Sequence, residues 1–97
     1  MKSMYMPDYR IQKILQDRSA ELRKCSNRIT SMWYFDDETN TIMICSNRPG
    51  LWIGKFGEDI NNLKDSVNKV IDAINERQLE SLPKRSHIDI AFQECNC

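Results

Sequence analysis

Gly54-Lys55-Phe56-Gly57 places a cation and an aromatic ring between two glycines, with Arg48 and Gly50 shortly before it. Gly50, Gly54 and Gly57 are the 3 glycines of the whole chain. Glycine accepts positive φ and lets backbone approach a ligand closely, so their concentration in one short run marks a turn that needs both properties. Glu58-Asp59-Ile60 follows and opens a helical pattern. A helix start offers unpaired N–H groups and partial positive charge. With Lys55 and Arg48 beside it, the chemistry this turn suits is contact with a phosphate.

Such a turn works only if the elements on either side hold it. Pro7-Asp8 reads as a helix start, and Ile11, Ile14, Leu15, Leu22 and Cys25 then lay one apolar stripe along a first helix. Arg18 falls on that stripe, where a long side chain is expected to cross the core edge with its charge in water. Ile29 to Phe35 and Thr41 to Ser46 are strand-like and enclose the polar turn Asp36-Asp37-Glu38-Thr39-Asn40, giving a hairpin. Ile42 and Ile44 share a parity and are expected to face the helices, with Met43 and Cys45 facing away.

After the glycine turn, Ile60, Leu63, Val67, Val70, Ile71 and Ile74 keep helical spacing, with Lys64, Asp65, Lys69 and Asp72 on the other faces. This longest helix must end before Pro83. His87 to Phe92 alternates, with Ile88, Ile90 and Phe92 pointing one way, and reads as a last strand; Gln93 to Cys97 reads as a loose tail. The resulting order is helix, strand, strand, short helix, loop, long helix, strand.

Composition sets the outer limits. Ninety-seven residues allow one small domain, here residues 1–97 with its core at about 8–94. The 14 Lys and Arg balance 14 Asp and Glu, so net charge supplies no strong nonspecific pull toward nucleic acid or membrane. The balance is uneven along the chain. Lys2, Arg10, Lys13, Arg18, Arg23, Lys24 and Arg28 face only Asp8, Asp17 and Glu21 through residue 35, and the remainder is correspondingly acidic. A basic face beside the glycine turn therefore depends on how the first helix packs. No stretch has the length or apolarity of a signal peptide or membrane span, so the expected location is the reducing cytoplasm, with no membrane partner. Cys25, Cys45, Cys95 and Cys97 lack zinc-ligand spacing, and neither a metal nor another cofactor is expected.

Residues 41–63, from Thr41 through Arg48-Pro49-Gly50 and Ile53-Gly54-Lys55-Phe56-Gly57 to Leu63, resemble the heart of a type II KH domain. That is the bacterial form found in a small-subunit ribosomal protein, a transcription elongation factor and a ribosome-assembly GTPase. The resemblance implies an α+β fold of order α-β-β-α-α-β, a three-stranded mixed sheet covered on one face by three helices. It also implies a grip on about four unpaired nucleotides, with the Gly-x-x-Gly loop on the backbone and bases over an apolar groove.

On that pattern the RNA-binding residues are Arg48, Gly50, Ile53, Gly54, Lys55, Phe56, Gly57, Ile60, Lys64 and Ile44. Gly54 and Gly57 admit the phosphates, Lys55 and Arg48 add cations, and Ile53, Ile60, Ile44 and one of Ile88 and Ile90 floor the groove. For each isoleucine the competing reading is plain core. Two residues depart from the family: Phe56, where glycine or a basic residue is common, and Trp52, where a small aliphatic is usual. Phe56 is left equally to base stacking or protein contact, and Trp52 is expected to pack against the first helix.

The expected function is single-stranded nucleic-acid binding, RNA before DNA, weak and salt-sensitive for a single module. The alternative is a protein-interaction module or ribonucleoprotein subunit, including a ribosome-associated one, on the same scaffold. Catalysis is not expected. His87 is the only histidine, no nucleophile motif is present, and the loop lacks the longer glycine-rich form that ends in Lys-Ser or Lys-Thr.

Overall fold

A computed structural model describes residues 2–3, 6–78 and 81–95. Chain order is β1 (Lys2–Ser3), α1 (Tyr9–Cys25), β2 (Ser31–Asp36), β3 (Thr41–Ser46), α2 (Pro49–Ile53), a single 3-10 turn at Lys55–Gly57, α3 (Glu58–Arg77) and β4 (Asp89–Glu94). Asp8 caps α1, its side chain accepting from the backbone N–H of Arg10 at 2.8 Å while Arg10 Nε returns to the same carboxylate at 2.9 Å. The apolar periodicity of α1 and α3 puts Ile11, Leu15 and Leu22 opposite Leu63, Val67 and Ile71, all buried. Cys25 departs from the expected stripe: it closes the last turn and is exposed.

The sheet runs β1-β2-β3-β4, antiparallel except for the parallel pair β3–β4. The three strands expected from the sequence are thus joined by a two-residue edge strand pairing with Phe35 and Asp36. The parallel pair requires a crossover, and α2, the glycine turn and α3 together supply it. Ile42 and Ile44 are fully buried toward the helices, and Met43 and Cys45 are half-buried on the other face. The order of helices and longer strands is the α-β-β-α-α-β order read from the sequence, compatible with a KH-like fold.

β4 begins and ends two residues later than its alternation suggested. Before it, helix side chains take over the hydrogen bonds that a ladder would otherwise supply. Asn68 accepts from the Ile88 N–H at 2.7 Å and donates to its carbonyl at 3.1 Å, and Asn75 does the same for Arg85 at 2.8 and 2.9 Å. Asn40 donates to the His87 carbonyl at 2.9 Å, and His87 Nε2 lies 2.8 Å from Asp72 Oδ1. At the other end Gln93 and Glu94 pair with Cys45 and Ser46, and the Cys95 N–H reaches the Ser46 carbonyl, so the expected loose tail is strand to Glu94. Cys97 lies outside the described residues; Cys25, Cys45 and Cys95 are free.

Candidate functional site

The glycine turn is built from three departures into positive φ within four residues. Gly54 sits at φ 77°, ψ 177°, Phe56 at φ 58°, ψ 22°, and Gly57 at φ 73°, ψ 14°. The Gly54 N–H closes α2 onto the Gly50 carbonyl at 3.0 Å, and the Gly57 N–H bonds the Gly54 carbonyl at 3.2 Å. Gly54 is required twice over, since a Cβ there would lie 2.7 Å from the Cβ of Asp59 and nearer still to its carboxyl group. At Gly57 only the backbone angle demands glycine, the nearest atom being Ile60 Cγ2 at 3.8 Å. Gly50 is different: its φ is not positive and nothing lies within 4 Å of a Cβ. Its glycine is dictated neither by the turn nor by space inside the molecule.

Two polar arrangements seat this turn on the body. Trp52, fully buried, donates from Nε1 to Ser31 Oγ at 2.9 Å; Ser31 lies 3.4 Å from Ser46 Oγ, which accepts from the Arg48 N–H at 3.1 Å. Its ring meets Trp33 edge-on at 6.0 Å between centroids and lies 6.5 Å from Phe92. Trp52 is therefore anchored on the sheet, whose strands supply both a hydroxyl acceptor and aromatic partners. The second arrangement joins α1 to α3: Arg18 donates to Asp59 Oδ2 and to Glu21 Oε2, both at 3.0 Å. Arg18 does cross the core edge, but its charge ends on carboxylates and not in open water. Asp59, Ser31 and Ser46 escaped the sequence reading; the clue was an Asp beside a glycine with an Arg on an otherwise apolar stripe.

Lys55 and Phe56 project from the turn, Phe56 being 94% exposed with Lys55 Nζ 5.5 Å from its ring centroid. Arg48, at the N-cap of α2, is exposed as well. No side chain caps the start of α3, and the Glu58 N–H turns back onto the Lys55 carbonyl. Glu58 and Asp59 lie in its first turn and offset the attraction for an anion, although Arg18 neutralises Asp59. The basic first segment does reach the turn, through α1. Arg18, Leu22, Cys25, Leu51, Gly54 and Lys55 line a groove of about 650 Å³ between α1 and α2.

The apolar floor is narrower than the sequence suggested. Ile44 is fully buried, and Ile88 and Ile90 are buried at 2% and 5% exposure, so their side chains belong to the core. Ile60 is buried at 9%, and Ile53, half-buried against the core, is the most accessible of the set. The reason is packing: the inward parity of β3 and β4 is consumed by the core these strands share with α1 and α3. Lys64 ties α3 to β4 through Asp89 Oδ1 at 3.1 Å, and the same oxygen accepts from the Ile90 N–H at 2.9 Å. These bonds, that from Lys64 foremost, hold the Asp89 carboxyl below the usual carboxylate range.

Among known proteins, the small ribosomal subunit protein uS3 of Parabacteroides distasonis is 44% identical to this chain over 32 residues. The match takes in 33% of this chain and 13% of that protein's length. No family profile matches the chain, and no solved structure matches it.

Proposed function

We propose that this chain binds single-stranded RNA through the Gly54–Gly57 turn and the adjoining surfaces of α2, α3 and β4, in the manner of a type II KH domain. The observation that carries the reading is the turn itself, in which three residues at positive φ present Lys55 and an exposed Phe56 at a helix start that no side chain caps. A bulky residue in the left-handed region costs about 1–2 kcal/mol, and a solvated aromatic ring stabilises nothing within the fold. Phosphates meet the backbone at Gly54 and Gly57, with Lys55 and Arg48 as the cations, and a base stacks on Phe56. The local similarity to a small-ribosomal-subunit protein supports RNA or a ribosome-associated complex as the partner. The role is binding rather than catalysis, and its setting is the cytoplasm.

With Arg18 engaged by Glu21 and Asp59, Lys55 and Arg48 are the cations left for the backbone, so affinity is weak and its salt dependence shallow, roughly that of two phosphate contacts. The acids Glu58 and Asp59 favour a second reading, in which Phe56 docks into a protein partner. An NMR titration with a pool of short single-stranded RNAs at low salt separates the two. RNA binding shifts the amides of Gly54 to Ile60, and replacing Lys55 and Phe56 by aspartate abolishes those shifts. Retained affinity in that variant overturns the site assignment; silent amides in a folded sample at millimolar RNA favour the protein partner.

A further inference from the structure

Asp89 stands where β4 comes alongside α3, and its carboxylate is held with one oxygen spent and the other spare. Oδ1 accepts both Lys64 Nζ, at 3.1 Å, and the Ile90 N–H, at 2.9 Å. Oδ2 has no partner among the described residues, and the side chain is 68% exposed. The side chain is also fixed in place: Asn68 clamps the preceding residue, Ile88, through both its backbone groups, and the Asp89 N–H bonds the Asn40 carbonyl at 3.2 Å. Lys64 lies one turn beyond Ile60 on α3, roughly 9 Å along the helix axis from its first residue. An RNA strand whose backbone sits on Gly54 and Gly57 spans that distance within the four or so nucleotides such a loop clamps.

From this placement we infer that Asp89 is a specificity-determining residue that selects a base carrying an exocyclic amino group and rejects uracil. The inference rests on the RNA-binding reading above. An ionised carboxylate only accepts hydrogen bonds, so Oδ2 takes one from the N4 amino group of cytosine or the N6 amino group of adenine. Uracil carries the O4 carbonyl where cytosine carries N4, so the same placement of the base sets two acceptors face to face. Lys64 holds the carboxylate in place through Oδ1, which makes Lys64 a positioning residue here rather than a direct backbone contact.

Cytosine and uracil have nearly the same ring size, so comparing them isolates the amino group from stacking. Binding of the tetranucleotides CCCC and UUUU, followed by the Gly54 to Ile60 and Asp89 to Phe92 amides, should favour CCCC by about tenfold. Asp89→Asn, whose amide both donates and accepts, should bring the two affinities within about threefold of each other. Lys64→Ala should shrink the preference for CCCC while changing the affinity for UUUU little. Equal wild-type affinity for the two, with the loop amides responding, overturns the Asp89 inference and leaves the RNA reading standing. A preference unchanged in Asp89→Asn overturns it as well. No response of the loop amides to either tetranucleotide removes the RNA reading itself, and with it the role of Asp89. The wild-type comparison needs no variant, so the inference stays testable if Asp89→Asn does not fold.

Discussion

The two irregular segments beside α3 treat their polar groups in opposite ways. Ahead of the helix, Gly54 to Gly57 takes its shape from backbone angles, with short turn bonds between its own atoms and an ion pair behind it. Its side chains, Lys55 and Phe56, are exposed. After the helix, Arg85 to Ile88 is extended chain whose backbone groups are taken by Asn40, Asn68 and Asn75. Side chains at intervals along α3 serve that segment as a neighbouring strand would. The contrast teaches how to tell a turn shaped by backbone angles from a loop held by side chains. The first holds strained geometry and leaves its reach to solvent, and the second spends its polar groups inside the molecule.

Gly54→Ala should have the largest effect, because it imposes a side chain at φ 77°, ψ 177° and drives it into Asp59. A loss of about 2–3 kcal/mol is expected in urea unfolding, along with the RNA-induced shifts. An alanine variant of unchanged stability would mean that the turn does not hold this conformation. Asn68→Ala should follow at about 1–3 kcal/mol, since it leaves the N–H and carbonyl of Ile88 without partners. The same titration should still shift the Gly54 to Ile60 amides, and their silence would blur the division between the two segments. Phe56→Gly sharpens that division from the other side. Relief of positive φ should hold or slightly raise the unfolding midpoint, while the lost ring weakens RNA binding by roughly tenfold.

The smallest effect is set by pH. The folded-state pKa of Asp89 is lowered, chiefly by its bond to Lys64. Its contribution is therefore present above the unfolded carboxylate value of about 3.9 and is lost as pH falls through the lower folded value. Solvent screening at a mostly exposed pair keeps that contribution small. Asp89→Asn should flatten the acid limb of a stability profile and change neutral-pH stability little. An acid limb identical to wild type would show that the carboxylate gains nothing from its partners.

Local pattern explains why the elements were legible in the sequence. Apolar spacing marked α1 and α3, alternation marked the strands, and the clustered glycines marked the turn, because each of these follows from backbone geometry within a few residues. The candidate site was legible only where the same holds: Gly54, Gly57 and the outward Lys55 and Phe56. The groove floor was misread because Ile44, Ile88 and Ile90 carry an inward parity that periodicity reports, whereas whether an inward residue meets a ligand or other side chains depends on what lies above it. Trp52 shows the same limit. Its burial was expected, but its partners Ser31 and Trp33 were not written in its neighbours.

By itself the sequence determined the succession of helices and longer strands and the presence of one turn that only glycine permits at two of its positions. Tertiary structure alone decided that Arg18 meets Asp59 across 41 positions of chain and that Lys64 meets Asp89. It also decided that three asparagines hold the return to the last strand. Backbone preference is a property of neighbours in sequence. Ion pairs and side-chain clamps are properties of neighbours in space, and chain spacing carries no record of them until the helices pack.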